Sequence, residues 1–353
     1  MLLENRALTY NKNYSVIIAV LNNAKKGEQM RKILLTLLSS TLLFSQYTDC
    51  QFENQDYVDV CNKAVKNGVS YDYANEFLLS YFKTQKFDEI SFKYLQPKYI
   101  TTHKKNEKKA NNVLVKYIPE MVEHLKKYAE VYDYAEEKFG VNREIVAAIL
   151  IKETRLGKIQ PKHDAFIVFN TLVVRTKPNS EREKWLLSMG KTNMVSIITH
   201  CYERDIIPDE CNLPSSYAGA IGIPQFMPNS FIYTEGYKTK TADLTKMEDA
   251  IVSASKFLHE KADFSTLIDW SKIPDIVELE SKWYDFEFEN EDASFVYAKN
   301  TRSDKEYKCF TCDKEELDYL REYTKKIMSY NNSSNYAVGV MRLAYEAQKD
   351  LNR

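Results

Sequence analysis

Glycine and proline are scarce, with 9 of each in 353 residues. An all-β chain built on tight turns needs more of both, so that class is excluded. An excess of one charge is missing too, with 49 Lys+Arg against 50 Asp+Glu. Proteins that coat a polyanion carry a clear basic excess, so no nucleic-acid partner is expected. No apolar run reaches the length of a confident membrane span. The five histidines (103, 124, 163, 200 and 259) are scattered. None sits in a metal-ligand spacing or in a Ser-His-Asp pattern. The 25 Tyr come with abundant Lys, Asn and Ile and carry no argument alone.

What remains is ordinary globular composition, 44% apolar and 28% charged. The length suggests about two domains, or one with insertions. Helical spacing runs from about Asp56 to Leu95, through Val58, Val60, Ala64 and Val65, then Phe77, Leu78, Tyr81 and Phe82. A polar stretch, 101–112, reads as a solvated loop or helix face. Periodicity resumes at Val113 and continues with few breaks to Phe139, where Gly140 stops it. Further helices are predicted over Asn142–Leu156 (stopped by Gly157), Glu181–Glu203, Lys246–Ala262, Glu315–Met328 and Tyr336–Lys349. Residues 214–230 form a loop punctuated by Gly and Pro. Residues 265–315, with Trp270, Trp283, Phe286, Phe288, Phe295 and Tyr297, read as a small mixed or β insertion. The class is mainly α.

The N-terminus carries an address. Met30, Arg31 and Lys32 precede an apolar stretch from Ile33 to Phe44, the pattern of a secretory signal. Residues 30–46 are assigned to it, with 1–29 as an extension of uncertain role. Tyr47, Thr48 and Asp49 ahead of Cys50 suit a lipid-attachment motif badly, so no anchor is expected. The six cysteines fall in local pairs, Cys50/Cys61, Cys201/Cys211 and Cys309/Cys312. An exported chain permits disulfides, though the spacing leaves bridge and free thiol both open.

Three constellations carry chemistry. In the helix 142–156, Ile145, Ile149 and Glu153 lie on one row, so an apolar stripe ends in a carboxylate. Burial and the helix C-terminus both disfavour the charged form, which suits a general acid. The plainer alternative is an ion pair with adjacent Lys152 or Arg155. The second is Ser215-Ser216-Tyr217-Ala218-Gly219-Ala220-Ile221-Gly222-Ile223-Pro224-Gln225-Phe226-Met227-Pro228. Its small residues allow close backbone approach, Gln225 both donates and accepts, and Tyr217 and Phe226 offer faces for a sugar ring. It lacks the Lys-Ser/Thr of a phosphate loop, and a packed interhelical turn is the alternative. The third, Tyr330-Asn331-Asn332-Ser333-Ser334-Asn335-Tyr336, joins the last two helices and reads equally as a polar cap.

In this order and spacing, Phe139–Val146, Lys152–Gly157, Ser216–Ser230 and Tyr330–Ala337 resemble the lytic murein transglycosylase B family, over roughly residues 56–349. The Gln-Phe-Met-Pro loop is the specific element. The resemblance implies a lysozyme-like helical core with a helical N-terminal lobe and a small β insertion. The lobe falls at 52–112, the catalytic core at 113–264, the insertion at 265–315 and the closing helices at 316–353. It implies cleavage of the β-1,4 bond between N-acetylmuramic acid and N-acetylglucosamine without water, giving 1,6-anhydromuramoyl ends. Glu153 matches the single catalytic acid/base. Ser216, Tyr217, Gln225 and Phe226 match the glycan groove, and Tyr330, Asn331 and Tyr336 its closing wall. The implied partners are peptidoglycan glycan strands and cell-envelope proteins, met by an exported monomer in the periplasm.

Several positions depart from the family pattern. Leu156 replaces an aromatic, and Phe257 stands where Tyr is common. The stretch Thr234–Asp243 lacks the alternating Asp/Asn ligands of a calcium loop, so no metal and no other cofactor is expected. Arg175, Lys177 and Arg182 are candidates for the family's basic pair. Two rivals keep the fold and change the function: a muramidase that delivers water, and a non-catalytic glycan-binding scaffold.

Overall fold

The computed structural model describes residues 47–84, 86–96, 99, 110–273 and 314–351. The chain divides into two compact units, Met1–Asp49 and Cys50–Arg353, and the account below concerns the second. The signal segment 30–46, most of the insertion and the pair Cys309/Cys312 lie outside the described residues.

The segment that the resemblance assigns to an N-terminal lobe holds α1 (Gln55–Lys66), α2 (Tyr71–Thr84) and α3 (Glu89–Leu95). Asn54 caps α1 by accepting from Asp56 N, and Asp88 caps α3 by accepting from Ser91 N. Helices α4 (Ile118–Lys127), α5 (Ala129–Phe139) and α6 (Arg143–Thr154) follow. The periodicity through 113–139 hides a joint: Tyr128, at φ −106° and ψ 27°, separates α4 from α5. Next come α7 (Ala165–Arg175), the 23-residue α8 (Glu181–Glu203) and α9 (Met247–Ala262), and finally α10 (Lys314–Met328) and α11 (Ser334–Leu351). The start of α8 is set by a capping box between Ser180 and Glu183. Among the described residues no helix is long and apolar enough to cross a membrane.

Two apolar cores organise these helices. One joins α4, α5, α6, α9, α10 and α11 around Tyr132, Ile145, Ile149, Leu258, Phe264 and Met341. The other joins α1 and α2 to α7 and α8, with Phe77 and Phe166 in ring contact at 4.9 Å. The lobe therefore shares its core with helices assigned by the resemblance to the catalytic region. Disulfides Cys50–Cys61 and Cys201–Cys211 pin α1 and the end of α8. A third, small cluster of Phe226, Leu244 and Phe257 lies beneath the glutamine-bearing loop.

The strands were expected in 265–315, whose residues 274–313 lie outside the described set. A short pairing appears elsewhere: β1 (His163–Asp164) is antiparallel to β2 (Pro214–Ser215), with His163 opposite Ser215. Its signal in sequence is faint because each strand spans only two residues. This pairing fixes the root of the 214–230 loop.

Candidate active site

Helix α6 is buried on every side from Glu144 to Ile151, so its apolar residues form a sheath and not a stripe. It also ends two residues earlier than predicted. Arg155 (φ 51°), Leu156 (φ 56°) and Gly157 (φ 79°) are consecutive left-handed residues. Non-glycine residues adopt that region at a cost of about 1 kcal/mol or more, so surrounding structure must hold them. Leu156 N donates to Leu150 O at 3.0 Å, a bond six residues back along the chain that folds the turn over the helix end. Thr154 supplies the rest: its Oγ1 donates to Ile223 O at 2.9 Å and accepts from Gly157 N at 3.0 Å. Glu153 is thus the penultimate residue of a rigid helix, and its neighbour is bonded to the glutamine-bearing loop.

That loop is a tight hairpin. Ile221 N donates to Phe226 O at 2.8 Å and Phe226 N to Ile221 O at 3.0 Å. Glycine is needed at two positions. A Cβ on Gly219 (φ 80°) would fall 2.3 Å from Phe169 Cζ, and one on Gly222 (φ 73°) 2.4 Å from Leu244 Cβ. With both, the loop lies flat on α7 and on the segment before α9. Gln225 turns at φ 53°, and its Nε2 donates to Gly222 O at 2.9 Å.

The wall opposite comes from the α10–α11 junction. Glu153 is half-buried, and its Oε1 accepts from Tyr336 Oη at 2.7 Å. Tyr336 and Tyr330 stack nearly parallel, 5° apart with centroids at 6.4 Å. Tyr330 Oη donates to Pro224 O at 2.5 Å, joining this wall to the loop. Burial, and then the negative charge of Glu153, hold the Tyr330 phenol well above the usual tyrosine range. It therefore remains a donor throughout the physiological range. Lys152 Nζ donates to Asn111 Oδ1 at 2.5 Å and lies 4.9 Å from the Tyr336 ring centroid. The Arg155 guanidinium stacks on Tyr117 at 4.2 Å.

A cavity of about 410 Å³ opens beside this wall. Gln225, Phe226, Tyr330 and Asn331 line it, together with Trp185 and Lys261. Phe226 is only 2% exposed. It packs against Phe257 (5.2 Å) and Tyr330 (5.9 Å), so it supports the wall more than it offers a free face. Phe257, also buried, keeps a ring contact, edge-on to Tyr330 at 4.9 Å. Tyr217 stands at the loop's outer edge, 37% exposed, with its ring edge-on to Tyr94 of α3. Ser216 lies within the turn, with its N donating to Ala220 O at 2.9 Å and its Oγ accepting from Ala220 N at 3.3 Å. Of the basic candidates, Arg182 lines the cavity and stacks on Trp185 at 4.1 Å, whereas Arg175 pairs with Glu89 on the lobe. Tyr94, Trp185 and Lys261 were not singled out from sequence, since isolated residues on separate helices show no shared spacing.

The Thr234–Asp243 stretch does not fit a metal. Its organiser is the buried Asp249, whose carboxylate accepts from Tyr237 N and Asp243 N, each at 2.7 Å. Asp243 in turn accepts from Thr245 N and Oγ1. Among the described residues no group of three or more His, Cys, Asp or Glu is placed to hold an ion.

The helical fold that carries these residues is that of the lysozyme-like lytic transglycosylases, enzymes of peptidoglycan. A family profile described as Transglycosylase SLT domain matches residues 53–345, and the chain belongs to that family. No curated protein matches it in sequence. Among solved structures it is similar to the soluble lytic transglycosylase SltB1 from Pseudomonas aeruginosa (20% identity, TM-score 0.55, covering 85% of this chain and 100% of that one). SltB3 of the same organism, solved in complex with NAG-anhNAM-pentapeptide, is 15% identical, with a TM-score of 0.55 and coverage of 82% and 78%. Escherichia coli Slt35, solved in complex with calcium, is 17% identical, with a TM-score of 0.51 and coverage of 88% and 99%. At these identities the likeness is one of fold.

Proposed function

We propose that the chain is exported, cleaves the bond between N-acetylmuramic acid and N-acetylglucosamine, and leaves 1,6-anhydromuramoyl ends, with Glu153 as the single acid/base. The carrying observation is the position of Glu153, half-buried at a rigid helix end and bonded to Tyr336 at 2.7 Å. Protonated Glu153 gives its hydrogen to the glycosidic oxygen as the C1–O bond breaks through an oxocarbenium-like state. The resulting carboxylate then takes the hydrogen of the muramoyl 6-hydroxyl as that oxygen bonds to C1. One proton leaves and one returns, no water is consumed, and no second carboxylate is needed, unlike in hydrolytic glycosidases. The hydroxyl of Tyr336 keeps the carboxyl plane oriented during both transfers. Gln225, Tyr217, Tyr330 and Asn331 bind the glycan, while Ser216 and Phe226 shape the surfaces they stand on.

Digestion of purified sacculi followed by mass measurement of the muropeptides tests the reading. Anhydro ends, lighter by one water than hydrolysed ends, are expected. Reducing ends alone would identify a muramidase. Glu153→Gln is expected to lower turnover at least ~100-fold with strand binding retained. If sacculi dissolve as before, Glu153 is not the acid; if the natural protein binds strands and never cuts them, it is a scaffold.

A further inference from the structure

A second cavity, of about 600 Å³, lies on the Ile221–Ile223 side of the hairpin and shares only Gln225 with the first. Its walls are mostly apolar, with Ile159, Leu213, Ile221, Ile223, Phe231 and Leu244 among them and a few threonines and glutamines between. One end is polar and basic. There the Arg204 guanidinium donates from Nη1 to His200 Nδ1 at 2.9 Å. That bond makes Nδ1 an acceptor, so the imidazole is neutral. Burial agrees, pushing His200 down to about 4, and Phe231 covers the ring at 4.4 Å.

Arg204 is the unusual group. It is half-buried, burial disfavours its charge, and it makes no ion pair among the described residues. The carboxylate of Asp243 lines the same cavity but accepts from Thr245 at 2.6 and 3.0 Å and lies 3.9 Å from Lys246. Glu203 is exposed. The C-terminus of α8 contributes only about half a negative charge. A partly desolvated guanidinium is satisfied by an anion that bonds its planar fork. The remaining walls, mostly apolar, favour an anion with an apolar body, and the volume suits a small molecule.

We propose that this cavity is a second ligand site, taking a small monocarboxylate with an apolar body against Arg204. A free aliphatic acid and the carboxyl end of a short apolar peptide share this chemistry. Calorimetric titration of the full chain with hexanoate and with N-acetyl-leucyl-alanine separates the two sources, with hexanamide and N-acetyl-leucyl-alaninamide as uncharged counterparts. At least one acid is expected to bind at sub-millimolar concentration and about tenfold more tightly than its amide, and whichever binds identifies the source. Arg204→Gln should erase that preference. Ile159→Trp, at the 52%-exposed rim, should weaken binding while leaving the fold intact. Glu153→Gln should leave it unchanged, so the outcome stands apart from the proposed reaction. Equal binding of acid and amide, no binding by either acid, or unaltered binding by Ile159→Trp would overturn the assignment.

Discussion

Tyr336 donates its phenolic hydrogen to Glu153 Oε1 across 2.7 Å, although 183 positions separate the two residues in sequence. The contact holds the acid in one orientation. The Tyr336 ring is itself held, by Tyr330 on one side and by Lys152 against its π-face. Tyr336→Phe keeps the ring and removes the hydroxyl. A hydrogen bond to a charged group is worth roughly 1.5–3 kcal/mol, so kcat is expected to fall about 10- to 100-fold while KM changes little. Steady-state kinetics on a defined glycan decide it. An unchanged kcat would mean that the hydroxyl does not orient Glu153.

Tyr330 acts on the other partner. Its hydroxyl donates to the carbonyl of buried Pro224, the main link between the α10–α11 wall and the hairpin tip. Tyr330→Phe leaves that carbonyl without this donor, at a cost of about 1–3 kcal/mol. A lower Tm is expected, with faster hydrogen exchange at the amides of Ile223 and Gln225. If both amides exchange as in the natural protein, the hairpin is held by its own bonds, by Thr154 and by the bond from Ile223 N to Leu244 O.

Much of this was legible beforehand, and the exceptions have physical causes. The bounds of α8 match the sequence reading of Glu181–Glu203, and a Ser-x-x-Glu capping box fixes its start. Glu153 was readable as a candidate from its row on α6. Its partner was not, because helical spacing says nothing about which distant tyrosine will face a given helix end. The end of α6 was misplaced because Gly157 drew the stop to itself, whereas the turn begins at Arg155 and Leu156. Those two are left-handed only because tertiary bonds from Thr154 hold them. Phe226 looked like a sugar platform by its type alone. The structure buries it beneath Tyr330, while Tyr94, Tyr217 and Trp185 are exposed rings.

The loop before α9 is held by a carboxylate. Asp249 is 5% exposed and accepts two backbone amides from opposite ends of the loop. Removing it strands both donors. Asp249→Ala is expected to destabilise the protein by roughly 2–4 kcal/mol, read as a lower Tm. A chelator should leave the Tm of the natural protein unchanged. A chelator-sensitive Tm would show that a cation, and not Asp249 alone, ties the loop.

Glu144 predicts the pH dependence of stability. Its side chain is 8% exposed, and Oε2 is buried without a hydrogen-bond partner among the described residues. Burial is the main cause of a pKa raised from 4.5 to about 7, with nearby Glu136 adding and Arg143 opposing. Below about pH 4.5 the carboxyl is protonated whether the chain is folded or not, and no penalty arises. Above that, the unfolded chain releases its proton first, which favours unfolding. This contribution to stability therefore falls as pH rises, and levels off once the folded group has ionised above about 7. The full loss is roughly 3 kcal/mol at 1.36 kcal/mol per pKa unit. Denaturant unfolding of the natural protein and of Glu144→Gln, compared between pH 5 and pH 8, measures it. The variant is expected to lack this component of the slope. If its stability falls with pH as steeply as that of the natural protein, the dependence belongs to other groups, and Glu144 is ionised or hydrated in the folded state.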